Sequence, residues 1–195
     1  ASHQKMCEEM LDLGAELVLI DGAIDRKSIA APGTSDAIIL STGAVLSRSM
    51  KKVIEETAHT VGLYRLPILE DGGDKDIILE HLGEERPMIV GNGDVRILDL
   101  TTGLGAGKFL DGQINESTEY IYVPGAFTQS VVADINPRKL KNVTFVLKDP
   151  TKIFIDSVSW GQLRKKGLTV KVLENINVAA ITVNTSAPGG YASEH

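Results

Sequence analysis

The stretch that decides the fold is Leu17–Met50, LVLIDGAIDRKSIAAPGTSDAIILSTGAVLSRSM. It contains two short apolar runs, Leu17–Ile20 and Ala37–Leu40, and each ends at small or polar residues. Neither run alternates with polar residues, which is typical of strands that are buried on both faces of a parallel sheet. The sequence therefore predicts two neighbouring strands whose carboxyl ends carry polar groups, the usual position of a site in an α/β protein.

The rest of the chain continues this alternation of helix and strand. Apolar residues recur at helical spacing in residues 4–14, 47–61, 127–135 and 156–166. Further strands are predicted at residues 63–69, 120–123, 143–147, 168–173 and 178–183. The pattern predicts a single α/β domain over residues 1–195, with a mostly parallel, doubly wound sheet and helices on both faces.

The middle third, residues 70–118, has a different pattern. Asn92-Gly93 lies between two apolar runs and favours a hairpin with a type I′ turn. A Gly-rich segment follows at residues 101–112, where we expect a turn with no clear helix after it. These features predict a small β-rich insertion or subdomain.

Composition narrows the class of protein. The chain has 195 residues and a net charge of −6, which argues against nucleic-acid binding as its main role. The mildly acidic composition is typical of a cytoplasmic protein, which we expect, and no apolar run approaches the roughly 20 residues of a membrane span. Cys7, the only cysteine, excludes an internal disulfide and is expected in the core. The chain starts at Ala1 within a helical pattern, so we expect a fragment, and homo-oligomerisation is left open.

Asp21-Gly22 ends the first apolar run, as in a Walker-B strand whose carboxylate holds magnesium beside nucleotide phosphates. Asp25 is a second candidate metal ligand, and the guanidinium of Arg26 is a candidate for phosphate. The alternatives are a turn or cap role for Asp21 and a surface ion pair between Asp25 and Arg26.

Other candidate phosphate-binding residues also follow predicted strands. Thr42-Gly43 leads towards a helix, whose exposed amides favour an anion. Lys152 lies in a Lys-Asp-Pro-Thr-Lys turn, and Asn184 ends the last strand. Ordinary turn chemistry is the alternative for each of them, and each residue taken alone favours it. No G-x-x-x-x-G-K-[ST] loop is present, so Mg²⁺ and ATP are left open as cofactors, and enzymatic activity is left open too.

Four segments carry a resemblance to a known family. They are residues 18–60, residues 123–128 (VPGAFT), residues 148–154 (KDPTKIF) and residues 180–188 (AITVNTSAP). They resemble the small reactivase subunit associated with adenosylcobalamin-dependent lysine 5,6-aminomutase of amino-acid fermentation. The resemblance implies an accessory protein that works with an ATPase partner subunit to restore a damaged mutase, and it supplies no catalytic residues. More distantly, the chain looks like a P-loop ATPase of the dethiobiotin-synthetase type without its phosphate loop.

Three functions therefore remain open on the sequence. The first is a reactivase-type accessory protein that acts through protein contacts. The second is a nucleotide- or phosphate-binding, P-loop-like ATPase domain. The third is a small-molecule-binding α/β domain.

Overall fold

The computed structural model describes residues 3–22, 30–100 and 105–186. It has two compact units, Ala1–Ile54 with Ile176–His195 and Glu55–Asn175. Both contain helices and strands, so the mixed α/β class is confirmed, and the parallel pairs outnumber the antiparallel ones among the described strands. The boundaries expected for the insertion, residues 70–118, stay a prediction.

The helices are α1 (His3–Asp12), α2 (Met50–Tyr64), α3 (Gly73–Glu80), α4 (Ala106–Gln113), α5 (Gln129–Val132), α6 (Pro137–Leu140) and α7 (Ser157–Lys165). The strands are β1 (Ile38–Gly43), β2 (Met88–Gly91), β3 (Asp94–Ile97), β4 (Tyr120–Val123), β5 (Phe127–Thr128), β6 (Thr144–Leu147), β7 (Ile153–Phe154), β8 (Thr169–Val172) and β9 (Val178–Asn184).

The larger unit contains an open five-stranded sheet with the order β3-β2-β4-β6-β8. β4, β6 and β8 are parallel, and β2 pairs antiparallel with both β3 and β4. The predicted hairpin is confirmed, since Asn92 (φ 54°) and Gly93 (φ 77°) form the turn with the positive φ values of type I′.

Both faces of this sheet carry buried side chains. On one face Phe145 and Phe127 are fully buried, with ring centroids 5.3 Å apart. On the other face Tyr122 and Val146 belong to a cluster that includes Ile78 of α3. Alternating side chains of one strand point to opposite faces, so the continuous apolar runs at residues 120–123 and 144–147 fit burial on both sides.

The ends of α7 follow from local chemistry. The Asp156 carboxylate accepts hydrogen bonds from the amides of Val158 (3.0 Å) and Ser159 (2.9 Å), which satisfies donors that a helix start leaves unpaired. Gly167 follows the helix with φ 106°, a conformation that costs glycine little. The predicted start and end of this helix are confirmed.

In the smaller unit, β1 and β9 form a two-stranded parallel sheet. Thr42 is registered with Val183 and Gly43 with Asn184. One further residue pair, Ser41 and Thr182, joins the strands through their hydroxyl oxygens at 3.0 Å. The predicted strands at residues 37–42 and 178–183 are therefore confirmed, and they pair with each other.

The strand predicted at Leu17–Ile20 is wrong. The segment has no strand structure, and Leu17 and Leu19 are 74% and 82% exposed. A strand needs a hydrogen-bonded neighbour, and among the described residues β1 pairs with β9 instead. The apolar face of the first helix is also not buried, since Met6 and Met10 are about half exposed. Cys7, expected in the core, is only half-buried.

The strand predicted at residues 63–69 is also wrong over most of its length. α2 continues to Tyr64 because Leu63 and Tyr64 extend its apolar spacing and are buried. A glycine inside a helix costs only about 1 kcal/mol, so Gly62 does not end it. Beyond Pro67, which has no amide donor, Ile68 makes a single parallel bridge to β8.

A helix, α4, forms within the Gly-rich segment, contrary to expectation. α4 starts after Gly105, whose φ is 75°, and Ala106 and Leu110 form a buried stripe. Gly107 lies against α5: a Cβ there would be 3.0 Å from the carbonyl oxygen of Ser130. Gly105 therefore allows the chain to enter α4, and Gly107 allows α4 to lie close to α5.

Candidate functional site

Three of the predicted site residues meet at the carboxyl ends of β1 and β9. Gly43 lies beside Asn184, and Thr42 precedes it with its side chain buried. The Gly43 backbone has φ 151°, and a Cβ at this position would be 1.9 Å from the carbonyl oxygen of Asn184. Glycine is therefore required for the two backbones to approach this closely.

The backbone at the carboxyl ends of β1 and β9 already uses some of its hydrogen-bond donors. The amide of Ala44 donates to the carbonyl oxygen of Asn184 at 2.9 Å. The Asn184 side-chain oxygen accepts from the amide of Ser186 at 2.9 Å. α2 begins at Met50, so Thr42-Gly43 does not lead directly into a helix N-terminus. The helix-amide part of the anion-site prediction is wrong for this reason.

Asp21 and Gly22 are exposed and follow the segment that forms no strand. Asp25 and Arg26 lie outside the described residues, so their metal and phosphate roles stay predictions. In the part of the chain that is described, no group of three or more His, Cys, Asp or Glu side chains is arranged to hold a metal ion.

Lys152 belongs to the larger unit, at the carboxyl end of β6. It ends a short 3₁₀ turn, Pro150–Lys152, and its side chain is half-buried. The turn is fixed by Asp149, whose Oδ1 accepts from both the amide (2.8 Å) and the hydroxyl of Thr151. The turn of the alternative interpretation is present, but the Asp149 carboxylate in it is buried and not solvated, and a phosphate role for Lys152 stays a prediction.

The Asp149 carboxylate is the unexpected feature of that turn. Asp149 is 3% exposed, and its carboxylate is the only buried one in the described ranges. Its charge acts on Tyr122 of β4, whose pKa is raised first by burial and then by this negative charge. Sequence reasoning considered Lys152 and passed over Asp149. The signal was the Asp-Pro-Thr order, which is typical of a capping carboxylate before a proline at the first helical position.

A shallow pocket of about 220 Å³ lies beside the hairpin of the larger unit. Its lining includes Asn92, Arg96 and Asn115. The Arg96 guanidinium already donates to the side-chain and carbonyl oxygens of Gln113, at 2.8 and 2.7 Å. The volume is below the roughly 300–1,000 Å³ of ordinary small-molecule sites.

The smaller unit exposes many large apolar side chains. Val183 of β9 is 66% exposed, and every residue of β9 after Val178 is exposed. Large exposed apolar side chains also occur in α1, in the segment before residue 22, and in β1 and the residues that follow it: Met6, Met10, Leu11, Leu13, Leu17, Leu19, Ile39, Val45, Leu46 and Met50. No described helix has the length and apolar character needed to cross a bilayer.

Comparison with known proteins adds no relative. The chain matches no protein-family model, no curated protein and no solved structure.

Proposed function

We propose that the chain is an accessory protein of the reactivase type, which works with an ATPase partner subunit on an adenosylcobalamin-dependent aminomutase. The observation that carries the proposal is the exposed β1–β9 pair. β1 lies within one segment that resembles the reactivase subunit, residues 18–60, and all but the first two residues of β9 lie within another, residues 180–188. The strands contain no charged residue, and β9 is exposed along almost all of its length.

Parallel strands are normally covered on both faces, and an isolated two-stranded sheet is at best marginally stable in water. By register, the uncharged pair exposes Ile39 on one face and Val183 on the other, and the Val183 face is the surface that we propose for contact with protein rather than with solvent. The occupant that we propose for this surface is the ATPase partner, since the resemblance implies that the two act together.

The remaining two segments of the resemblance also come together, within the larger unit. Phe127 of residues 123–128 is registered with Ile153 of residues 148–154, and Thr128 with Phe154. Phe127 and Ile153 are fully buried. We interpret this second pair as structural support, and the exposed first pair as the contact surface.

The test is restored turnover of an inactivated mutase on addition of this protein and its ATPase partner. Val183→Asp is expected to weaken that rescue by about tenfold or more, as expected for a charge placed on an apolar contact surface. Val158→Asp is the matched control, because Val158 is 67% exposed and lies in the other unit. No rescue by the wild-type protein, or equal rescue by both variants, contradicts the proposal.

A second candidate function, nucleotide or phosphate binding, is favoured by one observation. Thr42, Gly43 and Asn184 meet at the carboxyl ends of a parallel pair, where α/β proteins bind ligands. Calorimetric titration with Mg–ATP tests it. Heat that is lost in Asn184→Ala and in Asp21→Ala supports the ATPase alternative, and the absence of heat removes it.

We also propose an arrangement of the sheet and a cellular compartment for the protein. We infer a doubly wound sheet, supported by the buried clusters on both faces of the five-stranded sheet. We infer the cytoplasm as the compartment, supported by the single cysteine and the acidic composition.

A further inference from the structure

Asp149 lies at the carboxyl end of β6, next to the ends of β4 and β8, with which β6 is paired. It is 3% exposed, and its two observed hydrogen bonds both end on Oδ1. The second oxygen, Oδ2, accepts no hydrogen bond from the described residues. Every fully buried side-chain oxygen or nitrogen of those residues has a partner, so Oδ2 itself is not fully buried.

The charge of this carboxylate is also uncompensated. Ion pairs among the described residues include Lys5–Glu9, Lys75–Asp71, Lys139–Asp111 and Lys171–Glu70, and Asp149 takes part in none of these. A buried charge is costly unless it is paired with an opposite charge or fully hydrogen-bonded. The two donors from Thr151 satisfy half of the carboxylate and leave its other oxygen free to accept.

We propose that Asp149 is a binding site for a small monovalent cation, with Oδ2 as the atom that contacts it. The small exposure of the residue selects for a compact group, either potassium or the terminal ammonium of an amine. The site is in the larger unit, so it is independent of the function proposed for the β1–β9 pair.

The experiment measures chemical denaturation of the whole chain in potassium chloride, in methylammonium chloride and in tetramethylammonium chloride at equal ionic strength. Tetramethylammonium is the reference because it is much larger than potassium and, unlike methylammonium, donates no hydrogen bond. For a cation at a concentration of 100 times its Kd, the folded-to-unfolded ratio is expected to rise about a hundredfold over the reference. A response to potassium alone identifies an inorganic ion, and a larger response to methylammonium identifies an amine.

Three variants complete the test, the third for the case in which the first does not fold. Asp149→Asn is expected to abolish the difference between the salts. Asp156→Asn, the matched control at an exposed capping carboxylate, is expected to keep it. If Asp149→Asn does not fold, Thr151→Val replaces it: loss of the hydroxyl donor to Oδ1 is expected to increase the cation response. An equal response of the wild type to all three salts, an unchanged response in Asp149→Asn, or no increase in Thr151→Val overturns the proposal.

Discussion

Alanine at Gly107 is expected to leave the chain less stable than alanine at Gly112, although both glycines lie in α4. A Cβ at Gly107 would be 3.0 Å from the carbonyl oxygen of Ser130, 3.2 Å from the amide nitrogen of Asp134 and 3.3 Å from the carbonyl oxygen of Val131. At Gly112 a Cβ would meet no atom within 4 Å. The two substitutions therefore differ mainly in whether the added methyl group meets α5.

The size of the expected difference in stability follows from two opposing effects. Alanine in place of glycine stabilises a helix by roughly 1 kcal/mol, and this gain is common to both positions. An extra methyl group in a packed contact costs about 1–3 kcal/mol, because the neighbouring backbone has to move. The common gain cancels in the comparison, so Gly107→Ala is expected to be about 1–3 kcal/mol less stable than Gly112→Ala.

Urea denaturation of both variants and of the wild type measures the free energies of unfolding. The slopes of the transitions should agree, so that midpoints report stability alone. If Gly107→Ala is stabilised as much as Gly112→Ala, the close contact between α4 and α5 is refuted. The helical assignment of residues 106–113 is refuted separately if Gly112→Ala brings no gain.

Three further predictions follow from single contacts. Gly43→Ala is expected to separate the ends of β1 and β9, because its Cβ would overlap a carbonyl oxygen of the paired strand; amide hydrogen exchange in β9 should accelerate, and unchanged protection would contradict this. The raised pKa of Tyr122 contributes stability that is present below about pH 10, the ordinary phenol value, and is lost as the pH rises through its folded value. Asp149→Asn should lower that pKa in a spectrophotometric phenol titration, while burial keeps it above the ordinary value. The pKa of Asp156 is lowered by its bonds from Ser159, so Asp156→Ala should destabilise at neutral pH, and the difference from wild type in urea midpoints should vanish as the pH falls through the lowered pKa.

Local chemistry explains what the sequence predicted correctly. The Asn92-Gly93 turn, the Asp156 cap and Gly167 each depend on residues within a few positions along the chain. The strands of the larger sheet were found because each apolar run has neighbours that are also in the chain and are buried with it. In these cases the local pattern and the tertiary contacts favour the same structure.

The errors have a common physical origin in contacts that a single stretch of sequence does not specify. Leu17–Ile20 has the same composition as a buried strand, but a strand also needs a partner edge. Gly107 looks like a turn residue until the neighbouring α5 is present. Asp149 was overlooked as a site residue because a Lys-Asp-Pro-Thr-Lys sequence suggests a solvated turn, and only the fold shows that its carboxylate is buried.

The contrast between the two units gives the proposed function its physical basis. In the larger unit the parallel strands β4, β6 and β8 are buried by helices of the same chain. In the smaller unit the parallel strands β1 and β9 contain no charged residue, yet β9 is exposed after Val178 and Ile39 of β1 is 63% exposed. The driving force for covering them is the same in both cases, roughly 25 cal/mol for each Å² of apolar surface removed from water. A partner that buries the β1–β9 pair would therefore stabilise the smaller unit as it binds. Protection of β9 amides from hydrogen exchange should rise on binding. Val183→Asp should reduce both this rise in protection and the stabilisation of the smaller unit.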